Sequence, residues 1–394
     1  MDSPAKVAVI GAGVSGLVAA LELEQRGFSP VIYESSAHVG GRLTSDAYGD
    51  FTLDHGFQVL LTNYPELKRY ALLDALDLQL FKPGALIFEH QQPHKIGDAF
   101  RDLGFLRSTL FSSVATLSDK LTLLKEQKRL ARCSAEAIFG QEREQTTLEY
   151  LSERYSDRFI ELFFKPFYSG IFLESALKTS YKHFEFVFHH FAIGHAALVR
   201  NGIQRLPELL AARLSRSELK LGQAFEAGQL EGFDAVIQTY APSPQRQSFN
   251  ACVNLYFEIE AADAGLLQHL THTIGLISQS DYVNNLHVLQ AGQQRLLSAT
   301  VVGQTEMSHA ELEYAARQEL LERCGIAVSK AAKTYVIKRA LPAQTPMKAS
   351  AEVRQEGKLF FAGDYTLYPS LNAAMQSGRA AAEAVAQAVA GAVE

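Results

Sequence analysis

The residues of this 394-residue chain best placed by type and spacing to do chemistry are glycines, one acid and one arginine near its start. Gly11-Ala12-Gly13-Val14-Ser15-Gly16 has the spacing G-x-G-x-x-G, and Glu34-Ser35 begins 23 positions after Gly11. Each glycine has a physical reason: Gly11 permits a tight turn, Gly13 lets the backbone approach a pyrophosphate, and Gly16 lets a helix pack closely on a strand. A helix N-terminus offers free N–H groups and the positive end of its dipole to phosphate. Glu34 can accept hydrogen bonds from ribose hydroxyls, and no arginine follows it directly to welcome a 2′-phosphate. Gly40-Gly41-Arg42 comes six to eight residues after Glu34. The glycines bring the chain close to a second part of a ligand, and Arg42 can clamp phosphate oxygens. Within Phe51–Gln58, Gly56 allows close approach to a flat ring, with Phe57 and Gln58 beside it.

The elements that must hold these residues are legible around them. Lys6–Ile10 is an apolar run that reads as a buried parallel strand. Leu17–Leu23 has helical spacing, with Gly27 as its stop signal, and Pro30–Glu34 is the next strand. At the far end, Lys358–Asp364 reads as a buried strand ending in Gly363-Asp364. Pro369–Arg379 then opens an alanine-rich helix for which Ser370 is a natural cap. Asp364 is placed for a ribityl or ribose hydroxyl. The stretch Asn372-Ala373-Ala374-Met375 would turn helix N–H groups toward the flavin edge that gains negative charge on reduction. A nicotinamide enzyme needs neither Gly40-Gly41-Arg42 nor Gly56 at this spacing, so the expected cofactor is FAD. These stretches contain no cysteine, so its attachment is expected to be non-covalent.

The N-terminal fingerprint with its Gly-Gly-Arg, and the C-terminal Phe-Ala-Gly-Asp with its Ser-Gly-Arg, resemble the flavin amine oxidase and phytoene desaturase superfamily. The resemblance is specific over about residues 5–65 and 340–390, and weaker over Phe163–Gly170 and Gly202–Pro207. It implies a discontinuous FAD-binding domain with an inserted substrate domain. It also implies FAD contacts at Glu34, Arg42, Gly56, Asp364 and Asn372–Met375. Relatives carry a longer strand-rich insert where Leu219–Gly232 is short here, which leaves Ala224 and Phe225 as alternatives for the adenine contact. A water-linked lysine found in several amine oxidases of the superfamily has no convincing match in the middle strands.

The middle of the chain is read from its patterns. Asn63–Leu80 suggests a helix. Residues 98–132 suggest one or two amphipathic helices with an excess of Lys and Arg (seven) over acids, either a solvated cap or a membrane-facing surface. Twelve of the 39 Phe and Tyr fall within residues 155–191. Most must be core; the candidates for a pocket beside the flavin are Phe57, Lys165, Phe167 and Tyr168. Phe233–Pro242 looks like a strand leading out of the FAD domain. Short strands follow at Val253–Ile259, Thr273–Ser278, Leu286–Gln290, Leu296–Val302 and Lys333–Arg339, with a helix over Ser308–Arg323. The expected fold is therefore α/β. A doubly wound, Rossmann-like FAD-binding domain (1–65, 200–250 and 340–394) carries an inserted α+β substrate domain (66–199 and 251–339).

Bulk properties exclude other classes. The net charge of −6 gives no reason to expect nucleic-acid binding. The three cysteines lie far apart and form no metal motif, so no metal is expected. No apolar run reaches the roughly 18 residues of a membrane span, and the N-terminus lacks signal-peptide features. The expected location is cytoplasmic, with peripheral membrane contact through residues 98–132 as an extension. Without a second G-x-G-x-x-G to hold NADPH, the electron acceptor is expected to be O2 or a quinone. Three functions compete. The first is an FAD-dependent oxidase or dehydrogenase taking hydride from a C–N or C–C bond of a largely apolar small molecule. The second is an isoprenoid or carotenoid-type desaturase or isomerase at a membrane surface. The third is a non-enzymatic flavin-binding protein.

Overall fold

The run Val7–Ile10 is buried along its whole length, as a strand covered on both faces must be. It is a central strand of a six-stranded sheet in this computed structural model, which describes residues 5–89, 91–98, 101–241, 247–343 and 345–391. Five strands run parallel in the order Glu218–Leu221, Val31–Glu34, Val7–Ile10, Ala235–Gln238, Leu359–Phe361. Gln355–Glu356 adds an antiparallel edge. One sheet is thus assembled from the beginning, middle and end of the chain. Of the expected strand Phe233–Pro242, only Ala235–Gln238 pairs, and Pro242 lies outside the described residues.

Helix α1 (Val14–Gln25) and the C-terminal helix (Leu371–Gly391) pack against each other on one side of this sheet. A Cβ on Gly378 would come within 2.1 Å of the Ser15 carbonyl oxygen, so glycine is what permits the crossing. The opposite face, formed by Ala8, Ile10, Tyr33 and Val236, is covered by Phe225, Leu230 and Phe233. These belong to the short segment around a 3-10 turn at Ala227–Gly232, so a loop layer stands where a doubly wound sheet usually carries helices.

A second, seven-stranded sheet runs Ala327–Pro342, Phe249–Ala261, Gln294–Val302, Val283–Ala291, Ile274–Ile277, Gly84–Glu89, Gln92–Gly97. It is antiparallel except where Ile274–Ile277 meets Gly84–Glu89. Helix His309–Cys324 packs on it, with Leu312, Ala316 and Leu320 buried. The expected helix over Asn63–Leu80 is mostly absent. Pro65–Arg69 is α-helical and Leu73–Ala75 a single 3-10 turn; Ala71 takes φ +44°, and Leu78–Leu80 pairs as a strand with Ala197–Val199. A left-handed residue ends a helix, and the pairing then wins over local spacing.

Further helices are α2 (Leu106–Phe111), α3 (Leu117–Leu130), α4 (Lys165–Phe172) and α5 (Tyr181–Ile193). Helix α2 packs on the edge strand Gln92–Gly97, α3 on α5, and α4 on Val283–Ala291. Thr116 and Asp119 form a capping box for α3, and Ser180 caps α5. Most of the aromatic-rich stretch is core, as its composition suggests. Phe159, Phe164, Tyr168, Phe172 and Phe186 are fully buried and meet neighbouring rings edge-on or at a tilt, Phe186 against Tyr368.

Candidate functional site

The strands Val7–Ile10 and Ala235–Gln238 lie side by side, but the chain leaves them toward opposite edges of the sheet. At their C-terminal ends a crevice opens, where ligands of such sheets bind. A cavity of about 770 Å³ begins there, at Gly11 and Thr239, and continues to the second sheet and to α4 and α5.

The glycine loop is built closely. Gly11 has φ +102°, and a Cβ there would lie 2.5 Å from Thr239 Oγ1, whose hydroxyl donates to the Ile10 carbonyl at 2.7 Å. A Cβ on Gly16 would fall 1.9 Å from the Gly11 carbonyl oxygen and 3.2 Å from Val9, so Gly16 serves helix-on-strand packing and stays out of the cavity. Gly13 is the N-cap of α1, and no side chain caps it. The first-turn N–H groups are thereby left for a ligand. Gly13, Val14 and Ser15 line the cavity.

Glu34 is buried at the end of its strand, and its carboxylate accepts the N–H groups of Ala12 and Ser36, both at 2.8 Å. The acid therefore braces the glycine loop as well as lining the cavity with Ser35. Ala12 is fully buried, and its carbonyl also accepts the Gly40 N–H at 2.9 Å, tying the two glycine turns together.

Gly40, Gly41 and Arg42 border the same space. Gly40 and Gly41 both have positive φ, at +125° and +60°. The Arg42 guanidinium donates to Asp364 at 2.6 Å and to the Ala340 carbonyl at 2.9 Å. Two of its five donors are thus committed within the protein, and the pair neutralises Asp364, which is buried against the cavity. Gly56, Phe57 and Gln58 line the adjoining wall. Phe57 stacks on His287 at 4.4 Å, and Gln58 donates to the carbonyls of Arg42 and His55.

The C-terminal contribution keeps Gly363, Asp364 and Ala374 but not Asn372, Ala373 or Met375. Gly363 and Asp364 line the cavity, followed by Pro369, Ser370, Leu371 and Ala374. Asn372 turns away: its amide accepts the Glu66 N–H at 3.1 Å and donates to the Tyr368 hydroxyl at 3.0 Å. Ala373 and Met375 are fully buried in the core. Ser370 caps the helix by accepting the Ala373 N–H at 3.0 Å, so the residues just before the first turn face the cavity.

The far end of the cavity comes from α4, α5 and the second sheet. Phe167, Gly170 and Ile171 line it, one stripe at i, i+3, i+4. That periodicity corrects two pocket candidates. Lys165 lies about 200° around the helix from Phe167 and pairs with Glu161 on the outside. Tyr168 lies about 100° around and is buried among Phe172 and Phe184. Among the described residues that line the cavity, Glu34, Arg42 and Asp364 lie at the nucleotide end and Arg339 lies over the Phe249 ring; the stretch along Phe167, Gly170 and Ile171 offers aliphatic and aromatic groups with His183 and Asn285. Burial pushes His183 down to about 3, so it is neutral at pH 7.

Both alternatives for the adenine contact, Ala224 and Phe225, lie on the cavity wall. Sequence reasoning missed Thr239, Arg339, Tyr365 and the far-end residues Cys252, Asn285 and Thr300. Arg339 carried a readable signal, a basic residue closing a predicted strand. Cys252, Asn285 and Thr300 are polar residues within strands, Thr239 follows a strand and Tyr365 lies in a 3-10 turn, and none of them stands out from its surroundings.

This geometry has known counterparts. A family model described as flavin containing amine oxidoreductase matches residues 14–236, more than half of the chain. The chain belongs to the flavin-containing amine oxidoreductase family. Protoporphyrinogen oxidase 2 of Arabidopsis thaliana is 40% identical over 74 residues, 19% of this chain and 14% of that protein. Carotenoid phi-ring synthase of Chlorobaculum tepidum is 33% identical over 104 residues, 25% of this chain and 16% of that protein. These matches cover less than a fifth of either relative. A solved structure assigned as a protoporphyrinogen oxidase from Exiguobacterium sp. 255-15 superposes with a TM-score of 0.70 at 18% identity, covering 98% of this chain and 100% of that one. The fold is thus that of FAD-binding oxidoreductases of this family, and the cofactor is FAD. The cleft of this family member fits it: the glycine loop leaves no room for side chains, an uncapped helix end faces the cavity, and a buried acid closes the second strand.

Proposed function

We propose that the protein holds FAD non-covalently and removes hydride from a C–N or C–C bond of a largely apolar small molecule. The observation that carries this reading is the asymmetry of the cavity, charged at the nucleotide end and uncharged at the other. The FAD-binding unit is proposed to comprise residues 1–65, 200–250 and 340–394, with 66–199 and 251–339 forming the substrate unit. Bound FAD supplies the two-electron acceptor; this chain's residues bind, orient and exclude water. Gly11, Gly13, Val14 and Ser15 would receive the pyrophosphate, Glu34 the ribose hydroxyls, and the Arg42–Asp364 pair the linker. Gly56, Phe57 and Ala374 would border the ring, and Phe167, Gly170 and Ile171 would position the substrate. O2 or a quinone is the proposed final acceptor.

A second reading, desaturation or isomerisation of an isoprenoid, draws on the same uncharged far end, where no described side chain offers a carboxylate to a protonated amine. The decisive experiment is the visible spectrum of the purified protein, before and after heat denaturation. A flavin spectrum released into the supernatant as FAD supports the assignment; a colourless protein that takes up no added FAD refutes it. Anaerobic bleaching of that spectrum by amines, or by isoprenoid hydrocarbons, separates the two readings.

A further inference from the structure

The helical hairpin at Leu103–Leu121 presents an apolar surface that the oxidoreductase chemistry does not use. Phe111 is 81% exposed, Leu103 78% and Leu117 69%, and Leu106, Leu110 and Leu121 are each more than half exposed. Isolated exposed leucines need no explanation, but six large apolar side chains within 19 residues do.

The hairpin is firmly seated. Phe105 at its base is buried over the paired glycines Gly84 and Gly97; a Cβ on Gly97 would lie 2.5 Å from the Phe105 ring. Thr109 in α2 donates to the Gly97 carbonyl at 2.9 Å and accepts the Gly97 N–H at 3.0 Å. The exposed side chains are thus held outward by a braced backbone.

Around them the charge is positive. The Lys120 ammonium donates to the carbonyls of Leu110 and Ser112, both at 3.0 Å, which sets it beside Phe111. Along α3, Leu117, Leu121, Lys125 and Lys128 fall at helical spacing on one stripe, apolar at its start and basic at its end. Among the described residues, Arg107, Lys125 and Lys128 are exposed and have no carboxylate partner. Lys95 is two residues before Gly97, hence on the sheet face where Phe105 packs. It meets His269, with no acid between them. An apolar tip with a basic rim matches the interface of a bilayer with anionic headgroups. A second copy of the chain fits poorly, since a two-fold contact would set one basic rim against the other.

We infer that this hairpin docks the protein on the surface of an anionic lipid bilayer. Among the described residues no helix is long and apolar enough to cross a membrane, so docking is interfacial. Such docking belongs with the isoprenoid reading, yet it does not depend on which bond is oxidised or on bound flavin.

Co-sedimentation of the purified holoprotein with vesicles tests it, using phosphatidylcholine doped with phosphatidylglycerol against phosphatidylcholine alone. The wild type is expected to pellet with the anionic vesicles and to be released by salt. Leu103→Ser/Phe111→Ser should weaken binding by at least about tenfold, since it removes two of the apolar side chains that would enter the acyl boundary. Lys125→Glu/Lys128→Glu should abolish the preference for anionic lipid. All four substitutions are at exposed positions, and the visible spectrum and circular dichroism of each variant check its fold. A wild type that stays in the supernatant with anionic vesicles at low salt overturns the inference. So does a double serine variant that pellets unchanged, or a wild-type dimer in sedimentation velocity that the serine variant dissolves without any vesicle binding. Flavin content is read separately, so colourless protein that binds vesicles would sink the oxidoreductase proposal and leave the docking surface standing.

Discussion

At the scale of single residues, Glu34 has two tasks in one carboxylate. It braces the glycine loop through the Ala12 N–H and presents the rest of its acceptor capacity to the cavity. Glu34→Arg removes both and adds a positive charge without a phosphate to meet. Flavin content after purification should fall at least tenfold, while Glu34→Gln, which keeps one acceptor oxygen, should retain part of it. Equal flavin content in all three proteins would count against the ribose assignment. Asp54 makes a different case. Its burial pushes its carboxyl up to about 6 from an ordinary 3.8, against the opposing pull of the Ser45 hydroxyl and the Ile203 N–H. A carboxyl with a raised pKa costs nothing below pH 3.8, where both states are protonated. The cost grows between pH 3.8 and 6 and stays constant above. Both hydrogen bonds reach Oδ1, which an asparagine can reproduce. Asp54→Asn should therefore match the wild type near pH 4 and exceed its stability at pH 8 by about 1–3 kcal/mol, measured as urea midpoints at the two pH values. A less stable variant at pH 8 would mean that the carboxylate's hydrogen bonds outweigh its burial.

At the scale of elements, the crossing of α1 and the C-terminal helix decides whether the two ends of the chain form one site. Ser15 and Ser377 hydroxyls meet at 3.2 Å there, and the Ser377 hydroxyl accepts the Gly363 N–H at 2.8 Å. The same crossing thus fixes the turn that carries Asp364. Gly378→Ala would drive a methyl group into the Ser15 carbonyl, and overpacking of this kind costs about 1–3 kcal/mol. The expected result is a lowered thermal midpoint together with reduced flavin content, because the helices can separate only by moving Ser15 and Asp364. An unchanged flavin content would show that the crossing is decoupled from the site. The elements also show where sequence stops informing. The G-x-G-x-x-G loop and the strands around it were legible because each glycine answers a local steric demand. Lys165 and Tyr168 were misplaced because composition says which segment lines a cavity, and only the phase of the helix says which face. Of Asn372–Met375 only Ala374 lines the cavity, joined by Pro369–Leu371, for a related reason: the Ser370 cap fixes where the helix begins, and the register of its first turn separates core from cavity. Phe57 and Phe167, by contrast, line the cavity, and the loop layer of Phe225, Leu230 and Phe233 is hidden from sequence because it replaces helices by contacts distant in the chain.

At the scale of the whole molecule, the cavity wall draws on segments separated by hundreds of residues: the glycine loop, Thr239 after the central strand, Arg339 and Ala340 in the second sheet, and the start of the last helix. A ligand that bridges them binds the folded chain and has no counterpart site in the unfolded one, so it must raise stability by mass action. Free FAD added to stripped protein at a hundred times its Kd contributes about 2.7 kcal/mol. For a chain of this size that should raise the thermal midpoint by about 3–6 °C, followed by circular dichroism. FMN, which lacks the adenylate, engages the ring end without Glu34 or the glycine loop and should give a much smaller rise. Glu34→Arg should then respond to FAD no better than the wild type responds to FMN. Equal rises with FAD and FMN in the wild type would mean that the nucleotide end of the cavity contributes nothing to binding. The Arg42–Asp364 pair and the loop braced by Glu34 would then be parts of the fold alone.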